Sequence, residues 1–322
     1  MKNNKYEIDM CNGTIMDKLI SFAFPLMLSG ILQLMFNAVD IIVVGRFSGS
    51  QALAAVGSTT ALINVFVNLF IGISLGANVL AARFYAAGRE EEMSQTVHTA
   101  ITLALISGVV MAFVGVLFAK GALELMGTPD DVIGQSTLYM RIYFMGMPFF
   151  MLYNYGAAIL RAVGDTKRPL LFLIISGCIN AVLNMILVIV FHLDVAGVAI
   201  ATIISQCVSC ILVLRCLCKT QGSYQLHLSK LSIKGFYLKQ IFQVGVPAGI
   251  QSTVINFSNA LLQSSVNSFG ATAMAGYTAA NNLLGFLYVS VNSVTQACMS
   301  FTSQNFGVGK YKRMDRVLLD CL

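Results

Sequence analysis

The longest uncharged stretch of the chain, residues 240–309, constrains its fold more than any other feature. At about 1.5 Å per residue, one helix covering this stretch would be about 105 Å long. The hydrocarbon core of a bilayer is only about 30 Å thick. The stretch must therefore fold back on itself as two helices, and we predict the turn at positions 269–272, Phe-Gly-Ala-Thr.

Shorter uncharged stretches divide the rest of the chain in the same way. Charged residues make up 11% of the sequence, against about 25% in soluble domains. About 20 apolar residues suffice to cross a bilayer as a helix. We therefore predict an all-α integral membrane protein with about eight spanning helices, of which six come from residues 19–39, 47–82, 93–119, 142–160, 169–193 and 195–214.

Lysine and arginine are distributed unequally between the segments that join these helices. If the N-terminus is cytoplasmic, 17 of the 20 cations lie on the inner side, and only Arg46, Lys120 and Arg141 lie outside. Such an excess is typical of cytoplasmic loops. We therefore predict a multi-pass protein of the plasma membrane, in contact with lipid and not with nucleic acid. Residues 1–17 are polar and mixed in charge, unlike a signal peptide.

Two parts of the chain resemble each other at a constant offset. Pro25 and Pro247 follow similar segments, and Asn37 and Asn259 are separated by the same distance in the sequence. Internal similarity of this kind indicates a transporter built from two halves. Six predicted helices separate the starts of the copies, so both halves enter the membrane from the same side. The pattern predicts an N-terminal six-helix lobe at 1–220, a cytoplasmic linker at 221–238 and a C-terminal lobe from 239.

The second copy is shorter than the first. A second copy as long as the first would extend far beyond Leu322, whereas residues 239–322 hold only the first two helices of the C-terminal lobe. The comparison of lengths predicts a chain truncated in its second half. We expect a monomer that transports nothing by itself, because helices that would cover its last two spans are absent.

Asp40 is the only carboxylate inside a long apolar stretch. Gln33, Asn37 and Asp40 are spaced by four and three residues, which places them on one helix face. An ionisable group at the centre of a spanning helix costs about 3 kcal/mol and is therefore a functional-site hypothesis by default. The alternative is an acid at the membrane surface, since Asp40 lies about 33 Å beyond Lys18 along a straight helix.

Two later helices carry polar stripes of their own. Ser176, Asn180 and Asn184 are spaced by four residues, and Thr202 and Gln206 share a face of the next helix. Stripes on several helices are expected around a solvated cavity. Hydrogen bonds between packed helices are the alternative reason for the same residues.

At these residues the sequence resembles the multidrug and toxic compound extrusion (MATE) family. The resemblance runs the whole length of the chain and rests on an ordered set of short motifs. They are Pro25-Leu26, Asn37-Ala38-Val39-Asp40, residues 44–49, residues 52–57, residues 160–166 with Pro169, Asn180, and residues 197–202 with Ser205-Gln206.

The resemblance implies two six-helix lobes around a cavity that exports organic cations in exchange for protons or sodium. It makes Asp40 the coupling carboxylate, with Asn180, Thr202 and Tyr139 beside it. Asn184 stands where the family usually has a second aspartate. Sodium, bound at Asp40, Asn180 and Thr202, is an alternative coupling ion. The absence of a second carboxylate favours protons instead. No other cofactor is expected.

Further residues complete the predicted transport pathway. Pro25 lacks an N–H and can act as a hinge in the first helix, and a passive kink is the equally open alternative. The remaining polar side chains predicted to line the cavity are Asn259, Gln263, Asn292 and Gln296. Contact with the transported molecule and hydrogen bonds between packed helices explain their presence equally well.

Two other functions are weighed against cation export. A flippase for a lipid-linked or polysaccharide substrate would need several cations around a pyrophosphate, and the predicted spans hold almost none. An intramembrane protease needs two aspartates or a serine–histidine pair, which the spans do not offer. The sequence therefore predicts a secondary transporter rather than an enzyme, without naming its substrate.

Overall fold

The computed structural model describes residues 6–267 and 271–322, with side chains outside the description at residue 61 and at several positions between 256 and 283. Within these ranges the chain is helical and contains no strand. A π-helical turn, Ile186–Val190, directly continues the sixth helix, and a 3₁₀ turn covers Leu228–Lys230. The α-helices are α1 (Met16–Phe47), α2 (Gly49–Ala86), α3 (Glu90–Leu125), α4 (Asp130–Met145), α5 (Met147–Ala162), α6 (Lys167–Met185), α7 (Asp194–Lys219), α8 (Gly235–Asn267), α9 (Ala271–Gly307) and α10 (Tyr311–Cys321).

Five described helices are long and apolar enough to cross a membrane on their own. They are α1, α2, α3, α6 with its π turn, and α7. Helices α8 and α9 have 33 and 37 residues, so each is also longer than a bilayer requires. The predicted all-α membrane fold is therefore confirmed. The turn predicted at positions 269–272 falls partly outside the described residues, between the end of α8 and the start of α9.

The predicted span at 142–160 has different bounds in the structure. Helix α4 begins at Asp130, and the chain breaks at Gly146 before α5 continues to Ala162. The start of the uncharged stretch does not mark the start of this helix, because a charged residue, Arg141, lies inside α4. Its Nε donates to the Val116 carbonyl at 3.2 Å. Pro148, in the first turn of α5, is compatible with a new helix start at this point.

The chain repeats its helices as it repeats its sequence. The starts of α2 and α9 are offset in the sequence by the same amount as Pro25 and Pro247, and the starts of α3 and α10 by almost the same amount. Gly88 and Gly309 end the matching turns with φ of +67° and +71°, a conformation in which glycine meets no Cβ penalty. We refer to α1–α7 as the first half and α8–α10 as the second half. The exact lobe boundaries stay a prediction.

The two halves meet through a symmetrical set of helix pairs. Helix α2 packs against α8, α1 packs against α9, and α2 also packs against α9. The repeat relates α1 to α8 and α2 to α9, so exchanging the halves converts the α2–α8 pair into the α9–α1 pair. Contacts around a twofold axis have this property. Asn78 and Ser300, which occupy matching positions of the repeat, touch each other, because Ser300 Oγ donates to Asn78 Oδ1 at 3.1 Å.

The contact between α2 and α8 is made by glycines four residues apart on each helix. A Cβ on Gly72 would collide with Gly249, and a Cβ on Gly76 would collide with Ile241 and lie 2.9 Å from the Gly245 nitrogen. Each helix thus presents a small-residue stripe of the type that lets spanning helices approach closely. This crossing fixes the second half against the first.

Candidate functional site

A chain of side-chain hydrogen bonds joins α1, α6 and α7. Asn184 Nδ2 donates to Asp40 Oδ1 and also to Asn180 Oδ1, the latter at 3.2 Å. Asn180 Nδ2 donates in turn to Thr202 Oγ1 at 3.5 Å. Thr202 Oγ1 is itself anchored to the Val198 carbonyl at 2.9 Å. Four residues predicted from the sequence are therefore brought into one connected group, the polar chain.

Close packing of α1 on α6 brings the carboxylate to the amides. The Phe36 ring covers Gly177 so closely that a Cβ on Gly177 would overlap it. Phe36 lies one turn before Asp40, and Gly177 lies two turns before Asn184, so the same contact aligns both polar side chains. The π-helical turn begins at Ile186, two residues after Asn184. Such turns are frequent at functional sites.

Burial makes the polar chain a low-dielectric site. Asn180 and Asn184 are buried, and Asp40 is partly buried. Asn184 Oδ1 is enclosed without a hydrogen-bond partner among the described residues. An unpaired buried acceptor is costly, and it would gain from an incoming donor or cation. The group can therefore accept positive charge as a proton, a metal ion or an organic cation.

Two tyrosines and a glutamine lie beside the polar chain. Tyr139 is 7% exposed, and its ring stacks on Tyr143 with centroids 6.2 Å apart. The side chain of Gln206, a residue predicted to line the cavity, lies near Tyr143. Tyr143 itself was missed by the sequence reasoning. Its position one turn after Tyr139 on α4 was the available signal.

The other predicted cavity residues do not join this group by any described hydrogen bond. Gln33 and Asn37 lie on the exposed side of α1, and Ser176 is buried and donates to the Leu173 carbonyl at 3.1 Å. Asn259 and Asn292 are exposed, and Gln296 is partly buried. The side chain of Gln263 lies outside the described residues. A shared cavity for this set stays a prediction.

Pro25 lies far from the polar chain on the same helix. It is buried inside α1, fifteen residues and about 22 Å before Asp40. Ser29 Oγ donates to its carbonyl at 2.8 Å. Proline cannot donate a backbone hydrogen bond, so the preceding turn of α1 is weakened at this point. A hinge there stays a prediction.

Comparison with known proteins identifies the family. The MatE family model matches residues 25–186 and 247–322, so its two matched segments begin at Pro25 and Pro247. This chain belongs to the MatE family. The family resemblance seen in the sequence motifs is thereby confirmed, and the MatE chain is a multi-pass membrane protein.

Individual relatives agree with the family model. The probable multidrug resistance protein YoeA of Bacillus subtilis (strain 168) is 33% identical over 304 residues, which are 92% of this MatE chain and 66% of that protein. An FAD transporter of Shewanella oneidensis is 22% identical and is matched over 94% of this chain and 67% of its own length. The chain thus spans about two thirds of the length of these curated relatives.

Solved structures share the fold. One described as the outward-facing conformation of a multidrug resistance MATE family transporter has a TM-score of 0.92 to this chain. The match covers 100% of this chain and 71% of the other, with 23% sequence identity. At this identity the likeness establishes the MatE fold alone.

Proposed function

We propose that this MatE chain is part of a multidrug efflux transporter that exchanges organic cations for protons, with Asp40 as the coupling carboxylate. The observation that carries the proposal is the hydrogen-bonded chain from Asp40 through Asn184 and Asn180 to Thr202. It places one acid among neutral polar groups between three helices. The proposed protein is a secondary transporter and not an enzyme, and it has no resident cofactor.

The polar chain suits a carboxyl group that changes protonation. When Asp40 is ionised, Asn184 Nδ2 donates to it, as in the structure. When Asp40 is protonated, its hydroxyl becomes a donor, and rotation of the Asn184 amide would present Oδ1 to it. The amide can therefore satisfy both states, which lowers the cost of each in a buried place.

Charge explains how the proton and the passenger would compete. An ionised Asp40 attracts an organic cation, and this attraction is strong because the site is shielded from water. A protonated Asp40 loses that attraction and releases the cation. The two ligands thus exclude each other at one group, as antiport requires.

Sodium is the other candidate for the coupling ion. Asp40, Thr202 and the unpaired Asn184 Oδ1 offer oxygen ligands, which hard cations prefer. With Asn184 in place of a second acid, however, the polar chain holds a formal charge of only −1. The single charge supports protons, whose binding needs one carboxylate and no coordination shell.

The FAD transporter among the relatives motivates a second candidate function, the transport of an anionic cargo. Such a ligand would need cationic partners. The described part of the polar chain supplies a carboxylate and neutral groups, with no lysine or arginine in it. This composition favours a cationic passenger over a flavin nucleotide or a lipid pyrophosphate.

A binding experiment tests the proposal without requiring transport by this chain. We expect the purified protein in lipid nanodiscs to bind tetraphenylphosphonium and to release about one proton per cation bound in weakly buffered solution. Asp40→Asn should weaken binding at least about tenfold at neutral pH, since it removes the only charge of the described polar chain. It should also abolish the proton release, and full-length relatives should lose efflux.

The matched control is Asp17→Asn, which removes an exposed acid from the first turn of the same helix. It should bind and release protons like the wild type. Unchanged binding and proton release in Asp40→Asn would contradict the proposal. Tighter binding of FAD than of tetraphenylphosphonium would favour the anionic cargo.

A further inference from the structure

Residues 6–15, which we call the N-terminal arm, lie between the two halves on the face where the chain begins. Glu7 makes the first connection. Its Oε2 accepts a hydrogen bond from the Tyr85 hydroxyl at 2.7 Å, and its Oε1 accepts one from the Tyr224 hydroxyl at 2.7 Å. Tyr85 lies at the end of α2, and Tyr224 lies in the segment that follows α7. One carboxylate therefore binds the end of α2 in the first half and the linker that follows α7.

Tyr224 is a stable donor in this arrangement. Burial, followed by its hydrogen bond to Glu7, raises the pKa of Tyr224 to about 12. The hydroxyl therefore keeps its proton at neutral pH. Hydrogen bonds to charged groups are roughly twice as strong as neutral ones, so Glu7 is a firm anchor for the arm.

The turn between α5 and α6 is shaped to receive the arm. Ile8 N donates to the Gly164 carbonyl at 3.3 Å. Gly164 has a φ of +94°, and a Cβ there would lie 2.6 Å from the Ile8 carbonyl oxygen. Only glycine permits both this conformation and this approach. Arg168, at the start of α6, lies 5.4 Å above the Tyr6 ring.

The opposite side of the arm is bound by the second half. The Met10 carbonyl accepts from Asn305 Nδ2 at 3.1 Å and from Arg313 Nε at 3.3 Å. Lys310 Nζ donates to the Cys11 carbonyl at 2.9 Å. The Met10 side chain is fully buried in an apolar cluster of the second half and the start of α1. The second half thus holds the arm through its backbone and through one apolar side chain.

Direct hydrogen bonds between the halves at this face are fewer among the described residues. Gln304 Nε2 donates to the Ala162 carbonyl at 2.7 Å, and Ser300 donates to Asn78. The arm adds further hydrogen bonds to both halves at this face. Separating the halves here must therefore strip the arm from one of them.

We propose that the N-terminal arm is a strap that holds this face of the transporter closed, and that Glu7 must leave Tyr85 and Tyr224 before the face can open. The inference rests on the proposed function in assuming that the two halves move apart at alternate faces. The halves hold the arm differently. On the side of the first half, beyond α1, which directly follows the arm, the Glu7 carboxylate makes the only side-chain hydrogen bonds described for the arm, beside one backbone hydrogen bond at Gly164. The second half uses several side-chain donors and the buried Met10. Release occurs at the Glu7 side.

Spin-label distances test the strap without substrate or coupling ion. Labels at Glu91→Cys and Lys312→Cys, which are exposed matching positions of the two halves, report their separation in a variant free of its eight native cysteines. In liposomes we expect one dominant short distance. Glu7→Ala should raise the fraction of a longer distance at least about tenfold, because two charge-assisted hydrogen bonds are lost.

Two independent variants keep the test sharp. Gly164→Ala should also raise the long-distance fraction, because its Cβ pushes Ile8 away while leaving every polar group in place. The Tyr85→Phe, Tyr224→Phe double variant removes the donors and leaves the arm intact. The control for Glu7→Ala is Asp17→Ala, which removes an exposed acid in the first turn of α1. The control for Gly164→Ala is Gly88→Ala, because Gly88 also has a positive φ, +67°, but has open space around an added Cβ.

Both controls should give the wild-type distances. Wild-type distances in Glu7→Ala, Gly164→Ala and the double tyrosine variant would overturn the strap. That result would leave the coupling role of Asp40 untouched, because dye binding and proton release measure it separately. If Asp40→Asn bound the dye and released protons like the wild type while Glu7→Ala altered the distances, the proposed function would be rejected and the strap retained.

Discussion

At the scale of single residues, the sequence predicted the members of the polar chain better than their bonds. The isolation of Asp40 in an apolar stretch selected it, whereas the family resemblance selected Asn180 and Asn184 and their spacing supported the choice. The donor–acceptor order was not predictable, since it depends on how closely Phe36 allows α1 to approach α6. Glu7 carried no signal at all, because a glutamate in a polar terminus is ordinarily solvated.

The turn that shapes the N-terminal arm depends on Asp9. Its carboxylate accepts from Cys11 N at 2.9 Å and from Asn12 N at 3.2 Å. Partial burial alone would raise the pKa of Asp9, but hydrogen bonds from Asn12 and Cys11 and the charge of Lys18 outweigh it and lower the pKa. An acid with a lowered pKa stabilises the folded arm above its ordinary titration range, and this stabilisation disappears as the pH falls.

We therefore predict that the arm loosens as the pH is lowered below about 4. A nitroxide at Thr14→Cys should become more mobile over this range in electron paramagnetic resonance spectra. In Asp9→Asn the same nitroxide should already be more mobile at neutral pH, and its mobility should increase less as the pH falls. A label at Ser229→Cys reports general unfolding, and an identical pH response in Asp9→Asn and wild type would exclude this role.

At the scale of helices, the fold is determined by where glycines allow close contact. Gly72 and Gly76 on α2 and Gly245 and Gly249 on α8 form two Gly-x-x-x-Gly patterns, which the sequence shows plainly. Such a pattern predicts that a spanning helix has a close neighbour, but not which helix that is. The partner follows only from the arrangement of all the helices. Charge-free stretches similarly predicted spans, but not the break at Gly146.

Filling the crossing of α2 and α8 should separate the halves. Gly76→Ala would place a Cβ in contact with the backbone of Ile241, and overpacking of this kind costs about 1–3 kcal/mol. We expect a lower midpoint of thermal unfolding in detergent. Gly57→Ala, in the same helix with nothing within 4 Å of the added carbon, should leave the midpoint nearly unchanged. Equal midpoints for both variants would show that the crossing is not tight.

At the scale of the whole molecule, one face collects the chain start and four connecting segments. The arm contacts the ends of α2 and α5, the segment after α7 and the turn between α9 and α10. Seventeen of the 20 lysines and arginines belong to segments that the alternation of helices assigns to this side. The structure supplies the shared face, and the positive-inside rule supplies its proposed orientation toward the cytoplasm.

Cysteine labelling in intact cells checks that orientation. In a cysteine-free background, Lys230→Cys and Lys312→Cys should react with an impermeant maleimide only after the cells are permeabilised. Glu124→Cys, exposed near the far end of α3, should react in intact cells. The reverse pattern would invert the topology. Reaction of all three positions in intact cells would indicate that the chain is not inserted as predicted.

The contact between Ser300 and Asn78 has an evolutionary consequence. If the halves arose by duplication, positions 78 and 300 descend from one ancestral position that once met its own counterpart across a homodimer axis. A polar side chain can hydrogen-bond to an identical neighbour only if it both donates and accepts, and asparagine and serine each do. Under that history, fusion of the two copies into one gene would remove the need for identity and would allow one position to become asparagine and the other serine.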